Sequence, residues 1–206
     1  MKIHTMFTTR QDGDTRKKTF SDTVFGEQVH GNRIAVSHAH DVGKIIPRVD
    51  GLVSRDCVRL AIRTADCVPI LAWDEKHCVI GAAHAGTRGT MLRIAQNLIV
   101  AMEKLGAQAQ DIHIILGPHV GLCCYNVPED RAKKFSTNVT HYDGISWFID
   151  IGKENRAQCI EVGIVPKNIT VSSECTACNT KKYFSFRKDS KKSYGEQMGV
   201  IWIGKN

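Results

Sequence analysis

The sequence lacks any long hydrophobic run, and its first residues are mixed and polar. No apolar stretch reaches the ~18 residues that a membrane-spanning helix needs. Residues 1–13 contain no apolar segment of the kind found in a signal peptide. We therefore expect no membrane partner and a cytoplasmic location. In that reducing compartment the 8 cysteines should be thiols, metal ligands or nucleophiles rather than a disulfide framework.

The sequence also lacks internal repeats, low-complexity tracts and linkers rich in proline or serine. This absence favours one domain spanning residues 1–206, an ordinary length for a single domain. Hydrophobic residues make up 42% and charged residues 24% of the chain, which is typical of globular proteins and argues against disorder.

Charge is present in moderate excess, with 28 basic and 21 acidic residues and a net charge of +7. Much of the excess lies in Arg10–Lys18 and Lys181–Lys192, and the second segment mixes aromatic with basic residues. Such a mixture is one signature of nucleic-acid binding. We favour instead a solvated basic surface or a pocket for a small substrate that carries or uses phosphate. We expect a monomer or a small homo-oligomer with no nucleic-acid partner.

Runs of apolar and β-branched residues predict the strands. They are Ile3–Thr8, Arg33–Ser37, Val58–Thr64, Cys67–Trp73, Cys78–His84, Ile112–Leu116, Ile169–Ser172 and Gly199–Ile203. The clearest helix is Met91–Leu105, whose apolar residues recur at helical spacing. Thr90 would cap this helix and Gly106 would end it.

Two further helices are predicted, at Gly152–Val162 with Asp150 as its cap and Gly163 as its end, and at Pro128–Phe135. Mixed strands with few helices indicate an α+β fold, a mixed-sheet α/β sandwich.

Two of the predicted strands flank four polar residues, Asp74–His77, and read as a β-hairpin. A loop centred on those residues places Cys67 directly opposite His84, with Cβ atoms about 5 Å apart. That span suits two ligands of one metal, or a thiol and its base. It also suits a buried pair that has no chemical role.

The residues after His84 form a turn that leads into the predicted long helix. A strand, a turn containing Gly86 and a helix N-terminus together make a site for an anion, and Arg88 adds a forked donor for phosphate. The turn lacks the GxxxxGK[ST] pattern of a P-loop. The same glycines could serve a tight turn alone.

A series of short motifs occurs in one order through most of the chain. The motifs are Phe7–Arg10 (FTTR), Gln28–Gly31 (QVHG), Asp50–Ser54 (DGLVS), Thr64–Pro69 (TADCVP), Ala83–Gly89 (AHAGTRG), Gly117-Pro118 with Cys124–Val127 (CYNV), Cys175-Thr176, Phe184–Arg187 (FSFR) and Ile201–Ile203 (IWI). Together they resemble the YfiH family, which is also called the laccase-domain or multicopper polyphenol oxidase family and is now regarded as purine nucleoside phosphorylases.

The resemblance implies a single-domain, mixed-sheet fold of the YfiH type. It implies zinc as the cofactor, bound by His30, Cys67 and His84. Three protein ligands leave a fourth position open, which is typical of catalytic zinc.

The resemblance also implies phosphorolysis of adenosine, inosine, guanosine and methylthioadenosine, with adenosine deamination as a further activity. Purine nucleosides and phosphate would be the partners. Cys67, His84 and Asp66 are the expected catalytic residues. The expected substrate-binding residues are Gly86, Arg88, Cys124 and Arg187.

The chain departs from the family pattern at several positions near these motifs. Thr87 stands where the family has tryptophan, Asn126 where it has glutamate, and Glu196 where it has arginine. The segment between Arg10 and Gln28 is also short for the family. These changes leave the three expected zinc ligands intact and affect the expected substrate range and rate.

Two other enzyme classes stay open from sequence alone. A metal-free cysteine hydrolase would use Cys67 as nucleophile and His84 as base. Copper-dependent phenol oxidation would need more histidine ligands than the 9 scattered histidines offer. A binding protein without activity is a further alternative. Cys175 and Cys178 form a CxxC, which is a pattern of metal pairs and redox motifs, but no second CxxC follows it, and we expect these two cysteines to have no chemical role.

Overall fold

A computed structural model describes residues 2–189 and 194–204. The strands are β1 (Lys2–Phe7), β2 (Thr23–Gly26), β3 (Ile34–Val36), β4 (Ile45–Ile46), β5 (Gly51–Ser54), β6 (Arg59–Thr64), β7 (Val68–Asp74), β8 (Val79–Ala85), β9 (His113–Leu116), β10 (Asn126–Val127), β11 (Thr140–Tyr142), β12 (Trp147–Ile149), β13 (Ile169–Val171) and β14 (Gln197–Gly204). The α-helices are α1 (Thr87–Met91), α2 (Ile94–Lys104), α3 (Glu129–Ala132) and α4 (Ile151–Glu161).

Within the described residues these strands form two large sheets and one small sheet. The first large sheet has the order β1-β14-β6-β2-β4, and the second has the order β13-β9-β7-β8-β5-β3. Both contain parallel and antiparallel pairs. The small sheet has the order β10-β12-β11. The expected mixed α/β architecture is therefore confirmed.

The two large sheets pack face to face through a core of fully buried aliphatic side chains that includes Leu52, Leu60, Leu71, Ile80 and Ile201. Helix α2 covers the opposite face of the second sheet. Both faces of β7 are therefore buried, which explains why its sequence is almost continuously apolar rather than alternating. The ends of such central strands are held rigidly, and the candidate site lies at one of these ends.

The β7–β8 hairpin forms, but its predicted register is wrong by two residues. Pro69, not Cys67, pairs with His84, because the turn begins one residue later than expected. Asp74 stays in the strand, where its buried carboxylate accepts hydrogen bonds from the backbone of His77 and Gln108. A shift of two residues preserves the face of every side chain, so Cys67 still lies on the same side as His84.

The predicted helix Met91–Leu105 is two helices, because Arg93 adopts a left-handed conformation with φ of +60°. Thr90 lies inside α1 and caps neither helix, and Met91 is 36% exposed rather than buried. The apolar periodicity is real in α2, where Ala95, Leu98 and Met102 are fully buried. Gly106 has the expected positive φ, +99°, just after α2 ends.

The prediction for the second helix is confirmed, with α4 at Ile151–Glu161. The Asp150 carboxylate accepts a hydrogen bond of 2.8 Å from the backbone N–H of Lys153, and Gly163 follows with φ of +94°. The third predicted helix forms only as the single turn α3.

Several short strands were not predicted, including β2 and β5, which lie beside β6 and β8. Part of the basic segment Lys181–Lys192, from residue 190 onward, falls outside the described residues. Among the residues that are described, none of the helices is long and apolar enough to cross a membrane.

Candidate metal centre and cavity

Three side chains converge where β7 and β8 meet the loop after β2. His30, Cys67 and His84 each offer one ligand atom, and these three atoms lie within 4.8 Å of one another. We call these residues the triad. The imidazole rings of His30 and His84 meet edge to face, with centroids 4.7 Å apart. Two nitrogens and one sulfur at this separation form a donor set that suits zinc.

Gly86 allows the triad to close. A Cβ atom at this position would lie 3.0 Å from Cδ2 of His30 and 3.2 Å from Sγ of Cys67. Because real Cβ atoms rarely come so near their neighbours, a larger residue would push the triad apart. The structure thus places Gly86 against the triad itself.

The Asp50 carboxylate positions two members of the triad, His84 and His30. Its fully buried carboxylate accepts a hydrogen bond of 2.9 Å from Nδ1 of His84. The same carboxylate accepts backbone N–H bonds from Val29, His30 and Gly31, at 3.2, 2.9 and 2.7 Å. A carboxylate that fixes the ring of a metal-binding histidine is a recurrent feature of metal sites.

The pKa shifts of Cys67 and His84 favour a thiolate paired with an imidazolium. Burial acts to raise the pKa of Cys67, but the charge of His84 and hydrogen bonds from both histidines lower it to about 7. Burial acts to lower the pKa of His84, but Cys67 and Asp50 raise it to about 10. A metal ion would take the place of the proton that this pair shares, since metal ligation needs a thiolate and a neutral imidazole.

Two residues of the site have left-handed backbone conformations that non-glycine residues rarely adopt. His30 has φ of +56° and Asp66 has φ of +88°. Each conformation costs of order 1–3 kcal/mol and is kept only where surrounding contacts enforce it. At His30 those contacts are the hydrogen bonds to Asp50. Gln28 adds another, since its side-chain amide bonds both the N–H and the C=O of Arg63.

The triad lies at the wall of a cavity of about 740 Å³, a size typical of small-molecule sites. Its lining residues are Arg16, Gly26, Glu27, Gln28, His30, Ile45, Arg63, Thr64, Ala65, Asp66, Cys67, His84, Phe186, Arg187, Tyr194 and Glu196. The rings of Phe186 and Tyr194 meet edge to face at 5.1 Å. The cavity therefore combines metal-ligand donors, charges of both signs and aromatic surface.

Two polar atoms in this wall have no hydrogen-bond partner within residues 2–189 and 194–204. They are the buried Nε of Arg63 and the buried Oγ1 of Thr64, at the end of β6. The Arg63 guanidinium is held in place over the ring of Phe25, 4.2 Å from its centroid. Both residues line the cavity, although these two atoms are themselves covered by neighbouring groups.

Asp66 lies in the cavity wall, but both oxygens of its carboxylate are engaged by neighbouring loops. Oδ1 accepts a 2.6 Å hydrogen bond from the hydroxyl of Thr176, and Oδ2 accepts a 2.7 Å bond from the backbone N–H of Arg187. Its contacts are those of a positioning residue.

Of the other expected substrate-binding residues, Arg187 lines the cavity, where its guanidinium lies 4.9 Å from the centroid of Tyr125. Arg88 is exposed on the first turn of α1 and is not among the lining residues. Cys124 is also not among them; its thiol lies beside Cys178.

Two of the departures from the family pattern, Thr87 and Asn126, lie close together in the structure. Thr87 forms a hydrogen bond with the hydroxyl of Tyr125, and Asn126 accepts one of 2.5 Å from Arg187. Glu196 lines the cavity.

Sequence reasoning missed Asp50, Arg63 and Glu196 as contributors to the site. Asp50 carries a signal that could have been used, because a carboxylate at the start of the apolar strand β5 needs a buried partner. Arg63 has a weaker signal, its position four residues before Cys67. For Glu196 the only signal was its difference from the family pattern.

Residues 7–204 match the family described as multi-copper polyphenol oxidoreductase laccase. The chain belongs to this family. It is 36% identical over 183 residues to a mouse protein named purine nucleoside phosphorylase LACC1, a match that covers 82% of this chain and 42% of the relative. The chain thus spans less than half the length of that relative.

Other family members carry related names. YlmD of Geobacillus stearothermophilus, named a purine nucleoside phosphorylase, is 32% identical over 79% of this chain and 66% of its own. Its crystal structure superposes with a TM-score of 0.85, covering 90% of this chain and 75% of that chain. A protein named adenosine deaminase RL5, from an unknown prokaryotic organism, is 30% identical over 81% of this chain and 70% of its own.

Proposed function

We propose that residues 1–206 form one catalytic domain, a zinc-dependent purine nucleoside phosphorylase. Its substrates would be adenosine, inosine, guanosine and methylthioadenosine, together with phosphate. The observation that carries this proposal is a metal-capable triad lining a cavity that also includes Arg63 and two aromatic rings in edge-to-face contact. The names of several relatives, including YlmD and LACC1, support the same activity.

The triad fits zinc by its donor set and by its support from Asp50. His30, Cys67 and His84 would hold the ion and leave a fourth position open. When bound, zinc would polarise an oxygen of the substrate or lower the pKa of a bound water to about 7. A thiolate ligand also requires a reducing environment, which agrees with a cytoplasmic location.

The cavity offers separate surfaces for the parts of a nucleoside and for phosphate. Phe186 and Tyr194 supply aromatic faces on which a purine base stacks. Arg63 lines the cavity, and its guanidinium would bind phosphate oxygens. Arg187 would close the same region from the opposite loop. Arg88, the phosphate-binding residue that the sequence predicts, is the alternative to Arg63.

In the reaction a phosphate oxygen forms a bond to C1′ of the ribose while the bond from C1′ to the base breaks. The departing purine takes up a proton, which Glu196, a residue of the cavity wall, would supply. Burial raises the pKa of Glu196, although Arg16, Arg63 and His84 oppose this rise and Asp14 adds to it. Asp66 would hold the loops of Thr176 and Arg187 around the substrate.

Adenosine deamination is a second candidate activity of the same site, favoured by the relative named adenosine deaminase RL5. In that reaction water adds to the adenine ring and the amino group leaves as ammonia, and an open position on a bound zinc ion would suit water activation. Inosine would then accumulate from adenosine when phosphate is absent.

A metal-free cysteine hydrolase is the alternative, favoured by a Cys67 thiol whose pKa is about 7 beside His84. Alkylation separates the two classes. A zinc-bound Cys67 resists iodoacetamide until the metal is chelated, whereas a nucleophilic Cys67 reacts in the protein as purified.

The decisive experiment measures release of free base from inosine and adenosine, with and without phosphate, for the wild type and for Cys67→Ala. Cys57→Ala, at an exposed cysteine that belongs neither to the triad nor to the cavity lining, is the matched control. We expect base release that requires phosphate and disappears in Cys67→Ala only. A zinc-loaded wild type that consumes neither nucleoside in phosphate would overturn the proposal.

A further inference from the structure

A second group of sulfur donors lies outside the cavity. The side chains of Cys123, Cys124, Cys175 and Cys178 converge from two loops, and their four Sγ atoms lie within 4.8 Å of one another. We call these residues the four-cysteine cluster. The sequence offered only one CxxC, at Cys175 and Cys178, with no second CxxC to complete a site. The fold supplies the missing pair from the adjacent Cys123 and Cys124.

The spacing of the sulfurs excludes a disulfide bond between these pairs and is compatible with a shared metal ion. Sγ of Cys178 lies 3.6 Å from Sγ of Cys123 and 3.4 Å from Sγ of Cys124. A disulfide bond would bring two sulfurs to about 2.05 Å. Four sulfurs around a zinc ion with bonds of about 2.3 Å form a tetrahedron whose edges are about 3.8 Å. The observed separations are close to those edges.

The surrounding backbone is arranged for a sulfur that carries negative charge. The N–H of Gly121 donates a hydrogen bond of 3.2 Å to Sγ of Cys175. A Cβ on Gly121 would lie 3.3 Å from Cβ of Cys175 and 3.4 Å from Sγ of Cys123. The lack of a side chain at position 121 therefore lets the two loops approach. N–H donors of this kind support metal-bound thiolates.

The same two loops form part of the cavity wall. The N–H of Val120 donates to the carbonyl of Asp66 at 2.9 Å, and the hydroxyl of Thr176 donates to the Asp66 carboxylate. Tyr125, the residue after Cys124, lies under the guanidinium of Arg187. A metal ion that joins the loops would therefore fix the wall that carries Asp66 and Arg187.

We propose that Cys123, Cys124, Cys175 and Cys178 bind a second zinc ion in an all-thiolate, structural site. Four protein ligands fill the coordination sphere and leave no position for substrate, in contrast to the three of the triad. The ion would join the loops at Cys123-Cys124 and Cys175–Cys178 and would take no part in chemistry. The observations behind this site are the same whether or not the protein is a phosphorylase.

The test is the metal content of the full chain, purified under reducing conditions, for the wild type and three variants. The variants are Cys123→Ser/Cys178→Ser, Cys67→Ser and, as a matched control at another exposed cysteine, Cys57→Ser. We expect about two zinc ions per chain in the wild type and in the control. The double variant and Cys67→Ser should each lose one ion, and combining them should remove both.

Cobalt substitution identifies which ion each variant keeps. Cobalt in Cys67→Ser should show the intense thiolate charge-transfer absorption of four sulfur ligands. Cobalt in the double variant should show the weaker absorption of a single sulfur ligand, Cys67. If the double variant does not fold, Cys178→Ser alone should shift the cobalt spectrum towards fewer sulfur ligands.

Either of two results would overturn the proposal. One is a wild type that binds a single zinc ion, lost in Cys67→Ser and retained in the double variant. The other is a pair of disulfides among the four cysteines under reducing conditions, detected by mass spectrometry without alkylation. Neither result bears on the phosphorylase assay, which depends on the triad.

Discussion

The triad and the four-cysteine cluster differ in how the fold holds them. The triad lies at the ends of central strands, includes the buried His84, and is supported by the buried carboxylate of Asp50. The four-cysteine cluster lies on loops, and Cys123 and Cys178 are exposed. Three mixed donors beside a cavity suit an ion that acts on substrate, whereas four thiolates on loops suit an ion that joins them. The comparison predicts that changes near the triad alter activity, while changes near the four-cysteine cluster alter stability.

The largest effect is expected from Asp50→Asn. The substitution keeps the shape of the side chain but removes the charge that orients His84 and the loop of His30. We expect zinc affinity and activity to fall by up to about 100-fold. Loss of a buried ionic partner should also lower the free energy of unfolding by roughly 3–5 kcal/mol.

Zinc titration against a competing chelator measures the first effect of Asp50→Asn, and urea unfolding measures the second. The four-cysteine cluster supplies the control, because its ion should remain bound in this variant. Equal loss of both ions would mean that Asp50 stabilises the whole fold rather than the triad.

Glu196→Gln should lower kcat by about 100-fold, the usual contribution of a general acid. The raised pKa of Glu196 makes the protonated form available at higher pH, so wild-type kcat should fall as the pH rises through that pKa. Glutamine cannot donate this proton, and that descending limb should vanish. Glu27→Gln, at another carboxylate of the cavity wall, is the control. An unchanged pH profile of kcat would exclude Glu196 as the acid.

Arg63→Gln should raise the KM for phosphate by at least about tenfold, because a charged hydrogen bond contributes about 1.5–3 kcal/mol. Arg88→Gln should change it little, since Arg88 is exposed and is not among the residues that line the cavity. Initial rates at varied phosphate concentration measure both. A larger effect at Arg88 would move the phosphate site to the turn after His84, as the sequence predicted.

A matched pair of glycine substitutions gives the smallest expected effect and the closest comparison. Gly86→Ala places a methyl group 3.0 Å from His30, and Gly121→Ala places one 3.3 Å from Cys175. Gly86→Ala should reduce activity several-fold with little change in melting temperature. Gly121→Ala should lower the melting temperature by a few degrees with little change in kcat. The reverse pattern would contradict the roles assigned to the two clusters.

The β7–β8 hairpin and the triad could be predicted from the sequence. Cys67 and His84 lie on long apolar runs joined by a short loop, and a hairpin keeps their faces together even when its register is wrong by two residues. The family motifs added His30, which lies 37 residues before Cys67 and follows no local pattern.

Other features depend on contacts that local patterns do not encode. The break at Arg93 has no signal in the sequence, since the apolar periodicity continues across it. Asp50 gains its role from three backbone N–H groups about 20 residues away. The four-cysteine cluster joins residues more than 50 positions apart. In the sequence the CxxC of Cys175 and Cys178 therefore shows no partner.

The most direct test of the two-centre account is a crystal structure with diffraction data collected on both sides of the zinc absorption edge. We expect two anomalous peaks per chain. One should lie among His30, Cys67 and His84 with a fourth, non-protein ligand, and the other should lie among four sulfurs with no further ligand. The absence of a zinc peak at His30, Cys67 and His84 in active protein would contradict the account.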